Sequence, residues 1–146
     1  MLTPELTYYV LVLQLARAAW EVRAVCDESD NCLVLDFLGA GEKATRAHRM
    51  GMLSLVREHI PRHGVPPGPL SGPLGKALFE LRKQPGKGPR LRVPFFYDRR
   101  DSRIVVCTHA FWKDQPTMPR EIQRALQLRS VYYASQRRGD LRLLPA

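Results

Sequence analysis

Between Val65 and Gly75 the chain places four prolines and three glycines in eleven residues. Proline fixes φ and lacks a backbone N–H, and glycine adopts conformations other residues avoid, so regular structure is not expected to run through such a segment. The stretch predicts a rigid connecting loop that divides the chain. Strand patterns resume at once after it, so it is a connection and not a low-complexity tail.

Before the divide the patterns are mostly helical. Thr3-Pro4-Glu5 reads as a helix start, with Thr3 as N-cap, Pro4 at the first helical position and Glu5 favourable to the dipole. Leu6, Tyr9, Val10, Leu13 and Arg17 recur at helical spacing, which predicts a helix to about Ala19, although the Tyr, Val and Leu content also suits a strand. Trp20 to Cys26 alternates like a half-buried strand, and Asp27 to Asn31 is a polar turn. Leu33 to Leu38 predicts a short helix closed by Gly39 and Gly41. A longer helix is expected from Glu42 to Ile60, with Leu53, Val56 and Ile60 inward and Arg46, Arg49 and Arg57 wet. Pro61 is expected to end it.

After the divide come three expected strands and a helix. In Ala77 to Lys83, Phe79 and Leu81 share one side while Leu78, Glu80 and Arg82 share the other. In Arg90 to Tyr97, Leu91, Val93 and Phe95 share a face and leave Arg90 and Arg92 opposite, so two arginine-bearing strands can present one cationic surface. Pro94 predicts a bulge or an edge there. Asp98-Arg99-Arg100-Asp101 is a hairpin-like turn into Arg103 to Phe111, which is apolar on both sides and therefore expected to be central. Cys107, His109 and Phe111 are expected on one face of it, with Lys113 just past its end. Pro119 opens a final helix to about Gln136, and Gly139 to Ala146 reads as frayed or held by a partner.

The 146 residues suit one compact domain, read as an extension over 1–19, a main unit over 20–136 and a tail over 137–146. Their net charge of +9 is unevenly placed. Residues 1–75 carry 7 basic and 8 acidic side chains; residues 76–146 carry 16 basic and 6 acidic. A field of one sign on part of a domain points to a polyanionic partner, nucleic acid first, with an acidic protein, an anionic membrane or plain solubility as competitors. Cys26, Cys32 and Cys107 form no CxxC pair, so reduced thiols and a cytoplasmic location are the default. Leu6 to Leu15 is too short to span a bilayer. His48, His59 and His63 lack a completing carboxylate, so no metal site is expected.

Glu80-Leu81-Arg82, then Arg92-Val93, then His109-Ala110-Phe111-Trp112-Lys113, then Pro119-Arg120-Glu121-Ile122 form an ordered set. Together with Leu33 to Leu38 it resembles the RelE/ParE toxin superfamily of bacterial toxin–antitoxin modules, in its HigB-like, phage-derived branch, over about Trp20 to Tyr133. The resemblance implies an α/β (α+β) single domain, RelE-like, with N-terminal helices packed on a small twisted, mainly antiparallel sheet, a C-terminal helix and a basic groove. It also implies an endoribonuclease that cuts messenger RNA, often on the ribosome, without metal or other cofactor, and that a helix-turn-helix antitoxin neutralises.

Such cleavage uses the RNA 2′-hydroxyl as nucleophile, so the protein must stabilise phosphate charge and move protons. Guanidinium is planar, bidentate and always charged, which suits Arg82 and Arg92 to the phosphate, with Arg90 as a third cation. For proton transfer the candidates are His109, Lys113 and Glu80. His109 is equally readable as a packed strand histidine, and Glu80 as the ion-pair partner of Arg82 or Arg92. Arg90, Arg120 and Arg124 are read as RNA contacts, and Trp112, with Phe111, as a base-stacking platform beside Lys113. Two other readings stay open: a non-enzymatic gyrase poison of the ParE type, and a phage-derived nucleic-acid-binding protein that does not cleave.

Overall fold

A computed structural model describes residues 10–83 and 90–146. Its first described element is not a helix. Val10–Arg17 forms strand β1, and the part of the expected helix before Val10 lies outside the described residues. Val10 and Val12 enter one core while Leu11 and Leu15 enter another. Burial on both faces removes the polar alternation that distinguishes a strand from a helix, and leaves spacing that fits either.

The next elements follow their sequence patterns. Strand β2 covers Glu21–Val25 and α1 covers Leu33–Gly39. Between them the Asp27 carboxylate accepts the N–H groups of Ser29 and Asn31, each at 2.9 Å, and so holds the turn. A 3₁₀ turn, Lys43–Thr45, leads into α2, Arg46–Ser54. Arg49 is buried rather than wet. Its guanidinium donates to the carbonyl of Leu38 at 2.9 Å, an acceptor that the end of α1 leaves open, and to that of Glu42 before the 3₁₀ turn at 3.0 Å.

Pro61 does not stop the helix either. Leu55–His59 forms a π-helical turn in which Ile60 N–H bonds Leu55 O, and α3, Ile60–His63, then carries the chain through the proline. The wider turn makes room where the ring would otherwise meet the carbonyl four residues back. Gly64, at φ 82°, ends the run in a conformation that favours glycine.

The expected loop is a loop only in its first part, because Ser71–Gly75 is strand β3. It pairs with β4, Leu78–Lys83, at the edge of the sheet, where Pro73 is tolerated. Then come β5, Arg90–Tyr97; β6, Ile104–Cys107; β7, Phe111–Lys113; α4, Pro119–Arg138; and β8, Leu141–Pro145. The result is an eight-stranded sheet in the order β3-β4-β5-β6-β2-β1-β8, with β7 also on β5. Pairs β1–β8 and β2–β6 are parallel, and the others are antiparallel.

Helices cover both faces of this sheet. On one, Val22, Ala24, Leu81, Leu91, Val93, Phe95 and Val105 pack with Val34, Leu38, Met52, Val56 and Ile60 from α1 to α3. On the other, Val12, Val25, Leu78, Phe96 and Val106 pack with Ala125 and Tyr132 of α4. The expected small, mainly antiparallel RelE-like sheet bearing N-terminal helices is therefore corrected to a larger mixed sheet. The physical reason lies at the two ends of the described chain, where Val10–Arg17 and Leu141–Pro145 both pair as strands.

The tail is recruited because α4 ends in a tight reversal. Gly139 takes a left-handed conformation, and the N–H groups of Gly139 and Asp140 both bond Ser135 O, at 3.0 and 3.1 Å. Leu141 then starts alongside Val10, and the ladder runs on until Ala146 N–H bonds Gln14 O at 3.1 Å.

The strand expected from Arg103 to Phe111 is broken in two, and Pro94 is the cause. Pro94 O accepts Thr108 N–H at 3.0 Å, so the edge of β5 that faces β6 is also the edge at which the proline has no N–H to give. The ladder lapses there and resumes one residue out of step: Phe95 is opposite Cys107, but Arg92 is opposite Phe111. Pro94 is thus neither on an edge strand nor confined to a bulge of β5 itself, since β5 has partners on both sides.

Asp98, at the end of β5, locks α4 to the sheet. Its buried carboxylate accepts the Tyr132 hydroxyl, Gln136 Nε2 at 2.8 Å and Arg100 N–H at 2.7 Å, while Arg23 of β2 donates to the Tyr132 hydroxyl at 2.9 Å. Burial pushes the Asp98 pKa up, but the three hydrogen bonds and the Arg23 charge outweigh it and hold the group below the usual carboxylate range. Asp98→Ala leaves these donors without their acceptor and is expected to cost about 3–5 kcal/mol, read as a lowered urea midpoint. A loss below ~1 kcal/mol would mean that the network does not anchor α4.

Candidate nucleic-acid interface

Beyond the N-terminal end of α4 the sheet face that the helix covers turns cationic. Strand pairing sets Arg82 opposite Arg92 and Arg90 opposite Lys113, so the two like-charged pairs adjoin on one face with Glu80 and Phe111. Like charges directly opposite are destabilising, and here there are two such pairs in succession. One carboxylate partly compensates. Glu80 accepts Arg82 Nε at 2.9 Å and lies 3.5 Å from Arg92 Nε.

The cations differ in reach. Arg92 is only 4% exposed, and its Nη1 donates to the carbonyl of Leu91 at 3.1 Å. Burial pushes its pKa down, Glu80 pulls it up, and the charges of Arg82 and Arg90 lower it again. It therefore acts from beneath the surface. The Arg82 side chain keeps 30% of its surface open, Arg90 is exposed and Lys113 is half-buried, so these three can meet a ligand.

Gly72 positions Arg82. It lies opposite Glu80 on β3, and a Cβ built on it would stand 2.3 Å from Arg82 Nη2. The guanidinium thus lies across the glycine while Glu80 holds its Nε. No periodicity in the sequence marks Gly72 for this role, because the signal is the space that its missing side chain leaves to a neighbouring strand.

His109 is placed apart from the accessible cations. Its ring is buried, stacks on Phe111 with centroids 5.6 Å apart, and directs Nε2 at Glu121 Oε1, 3.5 Å away at the start of α4. The Thr108 hydroxyl donates to Pro94 O at 3.2 Å, and its oxygen lies 3.1 Å from His109 Nδ1. In that arrangement both ring nitrogens face protein groups. Burial, and secondarily the Arg124 charge, push the His109 pKa down to about 4.

Trp112 is on the opposite face from the cationic strip. It pairs with Leu91 and packs into the core of α1 to α3, its ring 5.9 Å from that of Phe37. The expected stacking platform of Trp112 and Phe111 is thereby split between two faces. Phe111 also leaves the face of Cys107 on which it was expected, because the slip at Pro94 changes its parity. Arg120 and Arg124 lie on α4 and line a shallow groove with Pro119, Gln123 and Gln127. Arg124 also borders a cavity of about 750 Å³ between α4 and the turn after β2. The structure therefore gathers Arg82, Arg90, Arg92 and Lys113, sets Arg120 and Arg124 on the adjoining helix, and withdraws His109 and Trp112.

Among the described residues no group of three or more His, Cys, Asp or Glu side chains is arranged to hold a metal ion, and no helix is long and apolar enough to cross a membrane. No family model and no curated protein matches the chain.

Two outcomes follow from this geometry. Gly72→Ala is expected to displace the Arg82 guanidinium, the movable end of a flexible side chain, and so to weaken binding of a single-stranded RNA oligonucleotide several-fold while the melting temperature shifts little. Unchanged affinity would remove Gly72 from the site. For His109, a pKa of about 4 in the fold against an ordinary 6.5 means that the unfolded chain binds the extra proton first as pH falls. Its contribution is complete above the unfolded pKa and is lost toward the folded one. Between pH 7 and 5 the wild type is expected to lose about 2 kcal/mol more than His109→Gln, by urea unfolding at each pH. Equal losses would refute the buried neutral state.

Proposed function

We propose that the protein is a metal-independent endoribonuclease that cuts messenger RNA, acting in the cytoplasm as the toxin of a toxin–antitoxin pair. The observation that carries this reading is the pair of directly opposed like charges, Arg82 with Arg92 and Arg90 with Lys113, on one open sheet face. A phosphodiester relieves that repulsion, so the cost in the free protein becomes affinity in the complex. Supporting it, the four fragments that resemble those of RelE/ParE-superfamily toxins converge in space: β4, β5, β7 and the first turn of α4 adjoin.

The chemistry assigned to the residues is limited. Arg82, held by Glu80 and backed by Arg92, neutralises charge that develops on the phosphoryl oxygens as the 2′-oxygen attacks. Lys113, two strand spacings across the sheet and two residues along it from Arg82, or about 12 Å, is an ammonium that donates a proton to the departing 5′-oxygen. The 2′-hydroxyl proton leaves to water. Arg90, Arg120 and Arg124 hold the flanking backbone, and the partner that switches the activity off is a helix-turn-helix antitoxin encoded beside the gene. The enclosure of both nitrogens of His109 favours a second reading, in which the strip binds RNA without cutting it.

The test is RNA with translating ribosomes in EDTA. Wild type is expected to yield fragments ending in 2′,3′-cyclic phosphate, Arg82→Ala to lose on the order of 10²-fold in rate, and the neighbour-encoded protein to stop the reaction. Intact RNA with salt-dependent binding would replace this proposal with the second reading, and inhibition of gyrase supercoiling with intact, unbound RNA would overturn both.

A further inference from the structure

Cys26 and Cys32 stand opposite each other as an isolated antiparallel bridge that closes the turn between β2 and α1. Within that turn Asp27 N–H donates to Asn31 O at 2.9 Å, so the bond lies on the turn side of the cysteines and makes them a pair of the non-hydrogen-bonded type. Such pairs have Cα atoms about 4.5 Å apart and the closest side chains in a ladder. A disulfide accepts Cα separations of about 4.4–6.8 Å, so the backbone needs no rearrangement to take one. In the structure both thiols are free and stand side by side across the bridge.

The pair is also chemically unequal. The Cys26 thiol and the amides of Leu35 and Val34 hold the Cys32 thiol below its ordinary pKa against the effect of burial. Cys26 is pushed up by the neighbouring Cys32, by burial and by the charges of Asp30 and Asp27. One member is thus the better thiolate and the other the reserve. A small reagent comes up to the pair from the side of Cys26, which lines the 750 Å³ cavity together with Asp27, Leu33 and Arg124, while Cys32 is buried directly behind it across the bridge. The third thiol has no such setting. Cys107 is fully buried in β6, and burial pushes it up to about 12.

We propose that Cys26 and Cys32 are a reversible oxidation site, closed to a disulfide by a peroxide and reopened by a small dithiol. The Cys32 thiolate attacks one peroxide oxygen, the O–O bond breaks, and the second oxygen leaves as hydroxide, which takes up the proton that the Cys32 thiol released and becomes water, giving a sulfenic acid on Cys32. The Cys26 sulfur then attacks the Cys32 sulfur, hydroxide departs and takes the Cys26 proton as water, and the S–S bond forms. The two thiols lose two electrons, and the peroxide gains them. The closed ring covers only the turn from Cys26 to Cys32, so the rest of the sheet keeps its pairing. This assignment is independent of the proposed ribonuclease activity.

The reduced protein is treated with hydrogen peroxide, its remaining thiols are alkylated, and the peptides are mapped by mass spectrometry. Wild type is expected to show a Cys26–Cys32 crosslink with Cys107 still a thiol, a melting temperature raised by several degrees, and full reversal by dithiothreitol. Cys26→Ser is expected to leave a sulfenic acid on Cys32 that dimedone traps, whereas Cys32→Ser leaves Cys26 reduced at the same dose. Three intact thiols in folded wild type, beside an exposed-thiol peptide oxidised in the same tube, would overturn the proposal. So would a crosslink through Cys107 or between chains, and neither result depends on a variant that must fold.

Discussion

The absent N–H of Pro94 governs more of this molecule than any other single group. It falls in the middle of a strand that is paired along both edges and packed on both faces, so the ladder toward β6 cannot continue past it. The chain from Thr108 to Ala110 crosses the gap and re-enters as β7 one residue out of register. Because side chains alternate with period two, that slip inverts every position after it. Lys113, which an unbroken strand would bury with Cys107 against α1 to α3, instead joins Arg90 and Arg92. Trp112 makes the reverse exchange and enters the core. The place of Lys113 in the cationic strip is thus a consequence of one missing donor.

What makes such a strip tolerable is the distribution of its charges by depth. Glu80 and Arg92 are nearly inaccessible and face each other, so the deepest cation is compensated where solvent cannot screen it. Arg82 shares the same carboxylate but ends over Gly72, at the open edge strand β3. Arg90 is exposed and Lys113 half-buried. The arrangement places compensated charge below and available charge above, which is the order that an anionic ligand requires. On the other side of α4, Asp98 shows the same economy. A single buried carboxylate collects a tyrosine hydroxyl, an amide side chain and a backbone N–H, and with them joins the turn after β5 to α4.

Several parts of this were legible in the residues themselves. The alternation in β4 and β5 correctly grouped Arg82, Arg90 and Arg92 on one face and Leu81, Leu91, Val93 and Phe95 on the other. The polar turn after β2, the short helix at Leu33 and the long helix opened by Pro119 also follow from local pattern and caps. Two kinds of feature were not legible. β1 is buried on both faces, so its Val and Leu residues carry no period-two signal and fit a helical stripe equally well. β8 and β3 are short edge strands whose only reason to be extended is a neighbour to pair with. Trp112, His109 and Arg49 were misplaced for a related reason: each position was read from its own element, and each is decided by another.

By itself, then, the sequence determined which side chains share a face along each continuous strand, where helices begin, and that the positive charge lies in the second half, because these depend on backbone geometry and composition within one segment. Tertiary structure alone decided that the segment from Val10 is a strand, that the tail pairs beside it, and that Lys113 rather than His109 stands with the arginines. Those outcomes rest on hydrogen bonds between distant segments and on a register slip at Pro94, and neither quantity exists until two strands have met.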